Sequence, residues 1–134
     1  IMANQDDLIP RLQQLRDVGV QLCIDDFGTG HSSLSSLHRF PIQVLKIDRS
    51  FVTNMEEHVQ FTAVTQAIVT LAHTLDMKVV AEGIETSEQL AQLQALECDY
   101  AQGYYFSRPL SRPQAEVYIA TGGQATELRH NDAA

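Results

Sequence analysis

Cysteines and long apolar runs are both scarce in the sequence. Cys23 and Cys98 form neither a CxxC pair nor part of a histidine cluster, which excludes a disulfide framework and a zinc site. No apolar run approaches the roughly 18 residues that a membrane-spanning helix needs. We therefore expect a protein of the reducing cytoplasm, with no membrane contact by this segment.

Positive charge is scarce as well. The 9 lysines and arginines are outnumbered by 17 aspartates and glutamates, which gives a net charge of -8. Non-specific binding to DNA or RNA polymers requires concentrated positive charge, so we expect no such partner. A phosphate ligand would need a bound cation or a lysine placed at the site.

The ends and length of the chain predict its organisation. The first residue is Ile1, and no signal-peptide pattern follows it, so we expect a segment cut from a longer protein. Its 134 residues correspond to one domain. Such a domain would bury roughly two-thirds of its unfolded surface, enough for a core without metal or disulfides.

Helical periodicity alternates with short apolar runs along the chain. Apolar residues one turn apart predict a first helix over 6–18. A second predicted helix has an apolar face of Val59, Ala63, Ala67, Leu71 and Leu75. Three further helices are predicted: one over 32–38, one that begins at the capping-box spacing of Thr86, and one over 111–120. Strands are predicted over 20–27, 41–47, 77–81 and 99–106.

This alternation is typical of an α/β fold, in which helices cover a parallel sheet of short strands that are apolar on both faces. Two architectures are compatible with it. An open doubly wound sheet fits the length of the chain, whereas an eight-unit barrel takes about 250 residues, of which this chain would supply a part.

Polar or ionisable residues follow every predicted strand. A single polar residue after a strand is usually just the start of a solvated loop. The carboxyl ends of parallel strands meet at one edge of the sheet, so polar residues at the ends of all four strands indicate a functional site. In chain order they are Asp25 and Asp26, Lys46 with Asp48, Glu82 with Glu85, and Gln102.

The adjacent carboxylates of Asp25 and Asp26 indicate a hard cation. A regular strand would point them to opposite sides, but a bend at the strand end lets both reach one pocket. They would repel each other there unless a divalent cation lay between them, and oxygen ligands favour Mg²⁺, Mn²⁺ or Ca²⁺. The alternative is a helix-capping aspartate beside a surface one.

Lys46 lies within an apolar strand, where burying its ammonium is costly unless it meets a carboxylate or phosphate. The alternative to a site role is a structural salt bridge, to Asp48 or another carboxylate. Glu82 precedes Gly83 at the end of a strand, and the alternative to a site role is that it is simply an acidic residue of the following loop.

Four segments in order resemble the EAL-domain family: 24–30 (IDDFGTG), 45–51 (LKIDRSF), 80–86 (VAEGIET) and 102–106 (QGYYF). Members are bacterial phosphodiesterases that open cyclic di-GMP to the linear dinucleotide, on a modified TIM barrel with two Mg²⁺ or Mn²⁺ ions. The resemblance implies the C-terminal half of a TIM-type (β/α)8 barrel, about four β/α units with parallel strands. Residues 1–121 would be the C-terminal part of the domain, and 122–134 a polar tail.

The resemblance also implies roles for individual residues. Asp25 resembles the aspartate that bridges the two metals, and Asp26 the one that ligates the second. Lys46 resembles the lysine beside the attacking water and scissile phosphate, Glu82 the essential acid, and Gln102 the active-site glutamine. A substrate-binding loop is implied at Phe27, Gly28, Thr29 and Gly30.

The chain departs from the family pattern because the Glu-Ala-Leu segment and the Asn and Glu ligands that should follow it are missing. The resemblance therefore implies an incomplete metal site, poor activity alone, and a homodimer or the missing N-terminal half of the barrel as partner. The parent could be a larger, membrane-anchored signalling protein. One alternative is a non-catalytic module that binds cyclic di-GMP or a protein. Another is a receiver-like phosphoacceptor domain, although its lysine should follow the last strand.

Overall fold

Helices and strands alternate along the chain. The computed structural model describes residues 5–29, 37 and 39–122. Most of the predicted helix over 32–38 and nearly all of the predicted tail lie outside this part. The elements are α1 (Gln5–Asp17), β1 (Cys23–Phe27), β2 (Val44–Ile47), α2 (Arg49–Asn54), α3 (Val59–Thr74), β3 (Lys78–Glu82), α4 (Ser87–Ala95), β4 (Tyr100–Gln102) and α5 (Arg112–Ala120).

The four strands form one parallel sheet in the order β1-β2-β3-β4. Successive β/α units of a barrel produce this sequential order, whereas a doubly wound sheet reverses its order near the middle. The predicted α/β class with parallel strands is therefore confirmed. The receiver-like alternative is wrong, because it requires a reversed strand order.

The two faces of the sheet differ in burial. One face is fully buried through Leu45, Ile47, Val79 and Ala81, which pack with residues from the helices. The other face is half-buried or exposed and includes Asp25, Lys46, Glu82 and Gln102. The expectation of two apolar faces is wrong, because side chains alternate along each strand and one set is polar.

Helix α3 packs on the buried face of the sheet, but through a different side than predicted. The buried residues are Thr65, Ile68, Val69 and Ala72, while Val59 is 81% exposed. Apolar residues surround this helix, so periodicity alone did not distinguish its inner side. No helix within the described residues is both long and apolar enough to cross a membrane.

Capping interactions fix the helices that follow the last two strands. The Gln89 amide donates to Thr86 Oγ1 at 3.1 Å, and the Thr86 amide donates back to Gln89 Oε1 at 3.3 Å, so α4 begins with the predicted capping box. Strand β4 is shorter than predicted. It ends at Gln102, and a Cβ on the next residue, Gly103, would lie 2.1 Å from the backbone oxygen of Ile84.

Candidate active site

A cleft of about 310 Å³ opens where the strands end. Because the strands are parallel, their carboxyl ends lie at the same edge of the sheet and bring distant parts of the sequence together. Four carboxylates line the cleft: Asp26, Asp48, Glu82 and Glu85. The other lining residues are Arg49, Gly83, Gln102, Gly103 and Tyr104.

An irregularity at the end of β1 directs its two aspartates into one cluster. The pairing register with β2 shifts between Ile24 and Phe27, and Asp26 has a φ of +50°, in the left-handed region. Such irregularities bend a strand and re-aim its side chains. Carboxylate oxygens of Asp25, Asp26 and Glu82 consequently lie within 4.8 Å of one another. The structure thus brings the two adjacent aspartates together, as expected for a strand-end bend.

Lys46 lies among these carboxylates. Its Nζ donates to Asp25 Oδ1 at 2.9 Å and also pairs with Glu82, and the lysine side chain is 23% exposed. The hydrogen bonds to Asp25 and then Glu82 raise the pKa of Lys46 above its ordinary value. The hydrogen bond from Lys46 also lowers the pKa of Asp25. Lys46 is therefore a persistent cation in the cluster.

Asp48 does not pair with Lys46, which was one of the sequence-based alternatives. It instead caps α2, because its Oδ1 accepts hydrogen bonds from the Ser50 amide at 3.0 Å and from Ser50 Oγ at 2.5 Å. These bonds, led by the one from Ser50 Oγ, lower the pKa of Asp48. Helix α2 was not predicted, although aspartate is one of the residues preferred at a helix N-cap.

Gly83 allows α2 to approach the end of β3 closely. It has a φ of +77°, and a Cβ at this position would lie 2.5 Å from the Cβ of Arg49. This contact sets the start of the Arg49 side chain beside the cleft. Sequence reasoning missed Arg49 because its place depends on a contact between residues 34 positions apart, for which no local signal exists.

Gln102 and Glu82 are partners in the register between β3 and β4. Both line the cleft, which places the predicted glutamine beside the predicted acid. Glu85 lies on the following loop, where its amide donates to Gln89 Oε1 at 2.8 Å. Glu85 and Asp48 had been noted at the strand ends, but neither was among the predicted site residues.

The predicted substrate loop is described as far as Thr29, and Gly30 lies outside the described residues. Phe27 is 4% exposed and packs in the core, so its side chain anchors the start of this loop, whose role in substrate binding stays a prediction. Gly28 has a φ of +102°, and a Cβ there would lie 2.5 Å from the Phe51 ring. Thr29 Oγ1 donates to the backbone oxygen of Asp26 at 3.0 Å.

The donor set of Asp25, Asp26 and Glu82 fits a hard divalent cation. All three offer carboxylate oxygens, which Mg²⁺, Mn²⁺ and Ca²⁺ prefer, and they lie close enough to share one ion. Lys46 offsets one of the three negative charges. The remaining charge favours a further cation at this end of the sheet.

Proteins similar in sequence to this chain include cyclic di-GMP phosphodiesterases. An EAL-domain family model matches residues 1–109. The chain is 48% identical over 119 residues to the cyclic di-GMP phosphodiesterase NbdA of Pseudomonas aeruginosa. That match covers 89% of this chain and 15% of NbdA, so the chain spans a small part of this curated relative.

Solved structures agree in fold. The PaMucR phosphodiesterase in complex with c-di-GMP matches with a TM-score of 0.77 and 43% identity, over 85% of this chain and 46% of that chain. BlrP1 of Klebsiella pneumoniae, in a manganese and cyclic di-GMP complex, matches with a TM-score of 0.72 and 37% identity, over 81% of this chain and 28% of that chain. The expected fold, four β/α units of a TIM-type barrel, is confirmed.

Proposed function

This chain belongs to the EAL-domain family, and we propose that it is the C-terminal half of a metal-dependent phosphodiesterase that hydrolyses cyclic di-GMP to linear pGpG. The observation that carries this proposal is the meeting of Asp25, Asp26 and Glu82 at the strand ends, with Lys46 bonded among them. The names of the relatives NbdA and PaMucR support the reaction and the substrate.

Asp25 and Asp26 are the proposed ligands of two Mg²⁺ or Mn²⁺ ions. The manganese complex of the relative BlrP1 supports a divalent cation in this family. When bound, the ions would lower the pKa of the attacking water and stabilise negative charge on the leaving oxygen. The carboxylates also give this acidic chain a means of accepting a phosphate substrate, because cations held there offset the repulsion.

Lys46, Glu82 and Gln102 are the proposed catalytic residues. The Lys46 ammonium can donate hydrogen bonds to the attacking water or to a phosphate oxygen as negative charge develops there. Glu82 accepts from Lys46 and thereby orients the ammonium. The Gln102 amide, beside Glu82, can both donate and accept hydrogen bonds in the cleft. The backbone of Gly28 to Gly30 would approach the substrate, where glycines leave room.

The metal site is proposed to be incomplete within these 134 residues. The Glu-Ala-Leu segment of the family and its Asn and Glu ligands are missing, so residues 1–121 would supply only part of the site, followed by a tail over 122–134. The polar face of the sheet, which carries Asp25 and Lys46, would line the barrel interior, and the N-terminal half would close the barrel by pairing with the outer strands β1 and β4. That half, or a second copy of this chain, is the expected partner.

Turnover of cyclic di-GMP tests this proposal. A complete domain that includes these 134 residues should release pGpG in Mg²⁺ or Mn²⁺, while the 134-residue chain alone should be poor or inactive. Cleavage by the isolated chain that is lost in Asp25→Ala would contradict the incomplete site. Tight binding of cyclic di-GMP by the complete domain without cleavage would contradict catalysis and favour the non-catalytic module.

A further inference from the structure

Arg49 is a cation in a cleft whose other charged lining residues are acidic. Asp26, Asp48, Glu82 and Glu85 line the same space. Within the described part of the chain, no carboxylate forms an ion pair with Arg49 at 4.0 Å or less. Its side chain is exposed, so the guanidinium donors remain open to a ligand in the cleft.

Lys46 is not equivalent to Arg49 as an anion contact. Its ammonium is already bonded to Asp25 and Glu82, which use two of its three donors. An anionic ligand that approached Lys46 would also approach both carboxylates. Carboxylates also line the cleft around Arg49, but none of those in the described residues is bonded to it, so the five donors of its guanidinium remain available to phosphate oxygens.

The backbone around Arg49 is held firmly in position. Asp48 caps the helix through Ser50, and the Arg49 Cβ lies over Gly83, where only a glycine fits. The side chain therefore starts from a fixed point beside Gly83, the residue that follows Glu82. Such anchoring means that contact with a ligand need not also order the backbone at this position.

We propose that Arg49 is a substrate-binding residue, which attracts a phosphate of the cyclic dinucleotide into an otherwise acidic cleft. The proposal rests on the proposed function and adds a specific role within the same site. An attraction of this kind acts on the ground state and the transition state alike. It therefore lowers KM and leaves kcat almost unchanged, in contrast to the role of Lys46.

The test compares Arg49→Gln, Arg49→Lys and the control Arg112→Gln in a complete domain that includes these residues. Arg112 pairs with Glu116 at 2.9 Å on α5 and does not line the cleft. We expect Arg49→Gln to raise KM for cyclic di-GMP about tenfold, with kcat within about twofold. Arg49→Lys keeps the charge, so its KM should stay within about threefold of the wild-type KM. Arg112→Gln should change neither constant.

Several outcomes would overturn the proposal. An unchanged KM in Arg49→Gln would remove Arg49 from substrate binding, and a selective loss of kcat would make it a catalytic residue. A KM raised as much in Arg49→Lys as in Arg49→Gln would show that the positive charge at this position is not what attracts the substrate. If the wild type shows no turnover, the proposed function fails by itself. The dissociation constants of cyclic di-GMP for the three variants, measured by calorimetry, then test Arg49 separately.

Discussion

Lys46 is the residue on which the electrostatics of the site depend. Three carboxylates within 4.8 Å would repel one another in a metal-free protein, and the Lys46 ammonium bonds to two of them. Its raised pKa keeps the ammonium charged across the physiological range. Lys46 can therefore both stabilise the carboxylate cluster and donate to a substrate phosphate.

Replacing Lys46 by alanine separates these two roles. In a complete domain, Lys46→Ala should lower kcat by about a hundredfold or more with little change in KM, because the ammonium acts mainly on charge that develops in the transition state. The matched control is Lys78→Ala, which removes a lysine paired with Asp99 at the start of β3. A melting temperature measured on each preparation identifies a merely structural effect. Normal kcat in a destabilised Lys46→Ala variant would remove Lys46 from the catalytic site.

Asp99 provides a pH-dependent contribution to stability at the other end of the sheet. Burial opposes its ionisation, but hydrogen bonds from Lys78, His73 and the Val79 amide prevail and lower the pKa of Asp99 to about 2. A carboxyl whose pKa is lower in the folded state stabilises above its unfolded pKa, near 4, and loses that contribution as the pH falls towards 2.

Acid unfolding should therefore distinguish Asp99→Asn from the wild type. We expect the variant to be less stable at pH 7 by on the order of 1 kcal/mol, and the difference to shrink between about pH 4 and pH 2. Chemical denaturation at a series of pH values measures it. A difference that stays constant over this range would contradict the ionised state of Asp99 as its source.

Elements meet at the site through close backbone approaches, and α2 against the end of β3 is the clearest case. Gly83 has a positive φ, and a Cβ would lie 2.5 Å from the Arg49 Cβ. Gly19 has a φ of +89° but no atom within 4 Å of a Cβ position. A comparison of the two glycines therefore separates the free-energy cost of a positive φ from that of the steric contact between α2 and β3.

Substituting alanine at each glycine measures both costs. Gly19→Ala should lower the free energy of unfolding by about 1 kcal/mol, the cost of a left-handed alanine. Gly83→Ala should lower it by about 2 to 4 kcal/mol, because α2 must also move away from β3. Equal losses in the two variants would show that the approach of α2 to β3 is not tight.

Local signals predicted much of this arrangement. The capping box at Thr86 located the start of α4, and the polar strand ends located Asp25, Lys46 and Glu82 at one edge of the sheet. The buried face of α3 was wrong because that helix is apolar on more than one side. Arg49 was missed because Gly83 positions it through a tertiary contact. Motif resemblance, not periodicity, favoured the barrel over an open sheet.

At the scale of the whole molecule, the described sheet has two outer strands, β1 and β4, and a face that helices do not bury. Unpaired edges and an open sheet face favour association. We expect the isolated chain to form a homodimer or to require the N-terminal half of the barrel. Sedimentation at micromolar concentration measures this, and a stable, compact monomer would contradict it.

Binding of Mn²⁺ to a complete domain tests most directly whether the strand-end carboxylates form a metal site. Asp25→Asn and Asp26→Asn should each weaken Mn²⁺ binding at least tenfold by calorimetry, because each removes a charged oxygen ligand. The control Asp76→Asn makes the same change on the loop before β3, at the opposite end of the sheet, and should leave Mn²⁺ binding unchanged. Wild-type Mn²⁺ affinity in both Asp25→Asn and Asp26→Asn would contradict the metal site, and with it the proposed mechanism.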